Sequence, residues 1–189
     1  MDPLPRRWYE TEAAELAPRL LDKLLASTIG GRRVVGRIIE VEAYDESDPA
    51  SHTFIGPTAR NNVMFGSAAH LYVYLSYGIH HCANVVAGPV GRGQAVLLRA
   101  LRPIDGLETI RSRRSGRPDR ELTDGPGKLC AALGIDRSVN GLDLLATNSP
   151  VTILDDGTAP PTNPVVGPRI GISKAVDTPW RFRVPPNRS

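Results

Sequence analysis

In the stretch RIIEVEAY, residues 37–44, Glu40 and Glu42 stand two apart. An extended backbone places both carboxylates on one face, roughly 7 Å apart by strand rise. A carboxylate on an otherwise apolar strand is costly unless it is paired or used. Glu42 lies beside Tyr44 and just ahead of a loop that carries His52. It is therefore a candidate general base, able to hold and polarise a water molecule. The competing reading pairs both glutamates with Arg37 or other arginines at a sheet edge. Three of the five tyrosines, Tyr72, Tyr74 and Tyr77, fall within HLYVYLSYGIHHCANVV, residues 70–86. Tyr72 and Tyr74 oppose Leu71, Val73 and Leu75 across the strand, so packing in a second apolar layer accounts for either. Tyr77 precedes Gly78, where the strand must turn, and its ring belongs at a hairpin tip. A side chain placed there suits insertion, as when a residue wedges between base steps. Asn84 and Arg99 interrupt apolar strands, and each needs a structural partner or a pocket to face.

The other polar motifs are weaker. RSRRSGRPDR holds Arg111, Arg113, Arg114, Arg117 and Arg120, a pattern commoner in solvated loops than in phosphate clamps. GPGKL opens a helix with Lys128 in its first turn, where backbone N–H groups and a cation could meet a phosphate. It lacks the spacing of a nucleotide P-loop. His52, His70, His80 and His81 show no ligand spacing, and adjacent His80 and His81 point to opposite faces of a strand. Cys82 and Cys130 are far apart and form no C-x-x-C, so no metal is expected and both are read as reduced, buried thiols.

These residues need elements to hold them. Apolar positions from Ala13 to Leu25 recur at helical spacing after a candidate cap at Thr11, with Pro18 tolerable only near the first turn. RRVVGRIIEVEAY alternates as a strand. Strict alternation puts Val34, Ile38, Glu40, Glu42 and Tyr44 on one face, and Val35, Ile39, Val41 and Ala43 on the other. Residues 45–69 form a long loop, which in a compact domain usually serves function. Strands follow to Ser76, from the turn to Val86, and over residues 94–101. DGLETIRSRR and GPGKLCAALGI read as helices, and VTIL, RIGIS and WRFRV as short strands between Pro-rich loops. Strands mixed with a few helices, without βαβ alternation, indicate an α+β domain around a mainly antiparallel sheet.

With 189 residues, 41% hydrophobic and 23% charged, the chain suits one globular domain with a real core. Residues 1–9 and 185–189 are expected as flexible ends. No apolar run approaches the roughly 18 residues of a membrane span, and the N-terminus lacks a signal-peptide core, so a cytoplasmic, soluble protein is expected. The net charge of +3 leans toward an anionic partner without specifying one.

Taken in order, RIIEVEAYDESDPASH, TARNNVMF, LYVYLSYGIHHCANVV, AVLLRALRPIDG and LTDGPGKLCAALGI resemble the alkyladenine type of 3-methyladenine DNA glycosylase, from about residue 10 to residue 184. The resemblance implies a curved antiparallel sheet flanked by helices, like the formyltransferase C-terminal-domain fold. It implies a monomer without cofactor or metal that flips alkylated or deaminated purines from double-stranded DNA and hydrolyses the glycosidic bond, leaving an abasic site. It also assigns roles: Glu42 activates the water, Arg99 lines the pocket near it, and Tyr44, His52 and Tyr74 enclose the flipped base. Tyr77 intercalates, Asn84 rejects guanine, and Arg60 and Lys128 are candidate phosphate contacts. No lysine lies in the motif-bearing segments before Lys128, which argues against a lyase step. The chain departs from the family at Ala59, where proline is common, near Ala69, where glycine is common, and at His80 or His81, where an aromatic is common. Two other readings compete. One is a non-catalytic nucleic-acid-binding domain on the same scaffold, and the other a metal-assisted hydrolase using Glu40, Glu42, Asp45 and His52.

Overall fold

The computed structural model describes residues 2–188. Its centre is an antiparallel sheet whose nine strands are β1 (Asp2–Pro3), β2 (Leu24–Ser27), β3 (Val34–Tyr44), β4 (Leu71–Ser76), β5 (His80–Val86), β6 (Ala95–Asp105), β7 (Val151–Asp155), β8 (Val165–Gly167) and β9 (Arg181–Arg183). The order runs β1-β7-β2-β3-β6-β5-β4, with β9 on β3 beyond the end of β2 and β8 on β9. Three helices, α1 (Ala13–Leu20), α2 (Leu107–Arg113) and α3 (Pro126–Leu133), cover one face. Together they enclose the main core with Leu16, Ile38, Val41, Leu98 and Leu129 at its centre. The expected α+β class with a curved, mainly antiparallel sheet is the fold observed. Among the described residues no helix is long and apolar enough to cross a membrane.

The first helix is shorter than its apolar spacing predicts. It ends at Leu20, Asp22 turns the chain with φ of 65°, and Leu24–Ser27 pair with both β3 and β7. Leu24 and Ala26 enter one apolar cluster while Leu25 enters another, so the segment alternates with period two. The expected strand RIGIS is also absent, because residues 169–173 form a loop whose polar groups are committed elsewhere. The sheet uses Val165–Gly167 instead. The stretch expected as a loose N-terminus is held: Asp2 and Pro3 pair with Asp155 and Leu154, and Tyr9 is wholly buried. Near the other end, Arg188 reaches Asp22 at 2.9 Å.

Strict alternation along β3 fails at one place, and that place governs the site. Ile38 pairs with Leu101 and Glu40 with Ala100, leaving Ile39 as an extra residue; Glu40 pairs with Ala100 and Val41 with Leu98, leaving Arg99 as an extra residue on β6. The two irregularities restore the register but reverse the facing of both strands. Ile38 therefore shares the main core with Val41 and Ala43, while Glu40, Glu42 and Tyr44 face away from it.

Candidate active site

On the face away from the helices, a cavity of about 580 Å³ opens between the loop after β3, the β4–β5 hairpin and residues 170–174. Tyr44, His52, Tyr74, Asn84, Arg99 and Arg60 all line it, so the structure brings together most of the residues singled out in the sequence. Glu42 lies below its floor with a fully buried side chain. Two hydrogen-bond donors and one ion-pair partner hold it. The Tyr44 hydroxyl donates to Oε2 at 2.8 Å, Arg99 Nη1 approaches the same oxygen at 3.3 Å, and the Ile170 backbone N–H donates to Oε1 at 2.8 Å. Arg99 also donates from Nε to Glu40 at 3.1 Å, and Arg181 reaches that carboxylate at 3.4 Å. Two carboxylates and two guanidiniums thus form one balanced cluster, the condition for keeping charge out of water. Glu40 belongs to the arginine side of this cluster. Arg37 pairs instead with Asp156 at 2.6 Å.

The aromatic wall is built from the strand and the loop. Tyr72 and Tyr74 stack with centroids 5.6 Å apart, and His52 stands edge-on to Tyr74 at 4.5 Å. His52 Nδ1 meets the Tyr72 hydroxyl at 3.0 Å. Tyr72 is therefore more than packing, since its hydroxyl sets the imidazole. Burial, and then the Arg60 charge, lower the His52 pKa from its ordinary value. Burial first, and the Glu42 carboxylate second, push the Tyr44 phenol well up, so it stays a donor. Burial likewise raises Tyr74 and the Cys82 thiol. The Asn84 amide nitrogen donates to the Tyr72 carbonyl at 3.1 Å, which fixes the side chain against the wall. Arg60 sits 5.6 Å from the Tyr74 ring at the cavity mouth.

Tyr77 lies on the turn after β4, with φ of 49° followed by 69° at Gly78, and is 87% exposed. Lys128, in the first turn of α3, pairs with Asp124 at 2.9 Å. The arginine run is largely tied down: Arg111 binds Glu108 and Asp119, and Arg113 donates to the carbonyls of Ile29 and Ala132. Among the described residues no three His, Cys, Asp or Glu side chains converge to hold a metal, and Asp45 instead accepts from Ser47.

Sequence reasoning missed the other wall. Ile170 and Ser173 come from the stretch read as a strand, and Lys174 follows it directly. Ile170 acts through its backbone, which no residue type announces. Asp48, inside the segment DESDPASH, is one of three acids there, and residue type does not single it out from Asp45 and Glu46.

Fold and site define a class of protein: a curled sheet domain that presents an aromatic-walled cavity above a buried carboxylate–arginine cluster. Over residues 7–188 the sequence matches the methylpurine-DNA glycosylase (MPG) family, and the chain belongs to that family. Relatives are similar along their length. A protein of Burkholderia lata named "Putative 3-methyladenine DNA glycosylase" is 49% identical, covering 98% of this chain and 89% of its own. Proteins of the same name from Carboxydothermus hydrogenoformans and Streptomyces avermitilis are 42% and 46% identical, over 98% and 95% of this chain and 96% and 86% of theirs.

Proposed function

We propose that the protein is a monofunctional 3-methyladenine DNA glycosylase, which extrudes alkylated purines from double-stranded DNA and hydrolyses the N-glycosidic bond. The observation that carries this reading is the juxtaposition of Glu42, buried and held by two hydrogen-bond donors and the Arg99 charge, with the cavity walled by Tyr44, His52 and Tyr74. Chemistry on a stacked base requires its extrusion, which costs a few kcal/mol and costs least for a damaged base. A cationic alkylated purine between tyrosine faces gains on the order of 1 kcal/mol or more from cation–π attraction. Its cationic ring also leaves readily. The C1′–N bond breaks with its electron pair passing to the base, positive charge develops on the sugar, and a water oxygen bonds C1′ while its proton passes to Glu42. Arg99 holds the carboxylate in place from the side. Asn84 cannot swing away from a guanine amine, because its amide is bound to the Tyr72 carbonyl. Tyr77 fills the gap left in the stack, and Arg60 and Lys128 meet phosphates. The reaction needs neither metal nor cofactor, leaves an abasic site, and is carried out by a monomer in the cytoplasm, at the nucleoid.

Methylated duplex DNA incubated with the protein in excess chelator should release 3-methyladenine, and strands should break only after alkali. Glu42→Gln should reduce release by at least about 10³-fold, the loss expected of a missing catalytic base, while binding to an abasic-analogue duplex persists. Release at the wild-type rate by that variant would overturn the assignment.

A further inference from the structure

A buried ion pair outside the reacting groups joins the two loops that form opposite walls of the site. Arg169 and Asp48 have side chains 0% and 2% exposed. The guanidinium grips both carboxylate oxygens, donates to the Ala43 carbonyl at 3.0 Å, and lies 4.6 Å from the Tyr44 ring and 5.5 Å from Trp180. Its Nε has no partner among the described residues. Buried pairs of this kind give weak stabilisation against an apolar alternative, and an unsatisfied N–H makes the arrangement costlier. Stability alone does not account for such a pair; a function in positioning does.

The contacts show what would be positioned. Arg169 immediately precedes Ile170, whose N–H holds Glu42 Oε1, and it backs the ring of Tyr44, whose hydroxyl holds Glu42 Oε2. Asp48 lies four residues before His52 in the loop forming the opposite wall. Resting on the glycosylase reading above, we infer that Arg169 and Asp48 are positioning residues: a latch that fixes both hydrogen-bond donors on Glu42 and sets the separation of the cavity walls. Neither residue touches the base. Their loss should slow the chemical step through displaced donors, since a misplacement of about 1 Å can cost roughly 100-fold.

The test uses Arg169→Lys, which keeps the charge but loses the planar fork. It also uses the double variant Asp48→Leu/Arg169→Met, which fills the space and leaves no buried charge orphaned. Single-turnover release from methylated duplex should fall about 10- to 100-fold in both, with affinity for an abasic-analogue duplex within about 3-fold of wild type. Amides of residues 168–174 should exchange hydrogen faster while those of β6 exchange as before. A variant that melts like wild type and releases base at the wild-type rate would overturn the latch, as would unchanged exchange in 168–174. If Arg169→Lys does not fold, the double variant decides. Should wild type itself release no base, the glycosylase reading fails, and the exchange result alone judges whether the pair holds the loop.

Discussion

A carboxylate with no exposed surface must be met by partners, and the three on Glu42 differ in kind: a phenol that donates, a guanidinium that pairs through charge and a backbone N–H that donates. Only the first two could be found from residue types. Glu42 and Tyr44 were legible because a strand puts alternate residues on one face, and Arg99 because an arginine inside AVLLRAL needs a counter-charge. The Ile170 amide was hidden, since any residue could supply it. His52 offers a titration at this scale. Burial and the Arg60 charge lower its pKa from 6.5, so the unfolded chain takes up the proton more readily than the folded one. Stability is therefore full above pH 6.5 and declines as the pH falls from there through the folded value. Denaturant midpoints should drop across that window, and His52→Asn should flatten the drop. An identical slope in the variant would assign the effect to another group.

Elements carry the site only where they break their own rules. Ile39 and Arg99 are each supernumerary in the β3–β6 ladder, and through them Glu40 and Glu42 face away from the core while Ile38 faces it. Alternation put Val34 and Ile38 on the glutamates' face, whereas both share the core with Val41 and Ala43, because a bulge has no signature in residue type. The hairpin tip was legible from Gly78, yet the residue before it is the surprise. Tyr77 adopts φ of 49°, a region that costs a side-chain-bearing residue roughly 1–2 kcal/mol. Tyr77→Gly should therefore melt higher, by up to about 1 kcal/mol at the midpoint, while base release slows. A variant that is more stable and equally active would show that the ring is not the wedge. Ala69, near which the family often has glycine, is wholly buried with φ of 64°. Ala69→Gly should gain a similar amount with unchanged activity, readable as a raised unfolding midpoint. The helix beyond Leu20 was misread because four apolar residues at helical spacing, LLxxLL, also alternate when extended.

At the scale of the molecule, a net charge of +3 is small, and much of the arginine content is tied to internal acids or carbonyls. Affinity for duplex DNA should then depend on few cations. Arg60→Ala should reduce the slope of log affinity against log salt by about one, as for a lost phosphate contact, whereas Arg111→Ala, already paired with Asp119, should leave it unchanged. Equal slopes for all three proteins would remove Arg60 from the interface. Fold class was readable from the mixture of strands and helices, and WRFRV was legible as a strand, but its pairing with β3, which closes the sheet, was not, since periodicity names no partner. That closure has a further meaning. Glu40, Val41 and Glu42 are paired on one edge by β6 and on the other by Arg183, Phe182 and Arg181. Arg181 also completes the charge cluster. During synthesis, which proceeds from the N-terminus, the carboxylate strand would wait with one edge open until some 140 later residues had been made. A nascent chain on the ribosome thus carries every residue of the aromatic wall long before it has a finished floor, and the charge cluster beneath that wall closes only once Arg181 has been made.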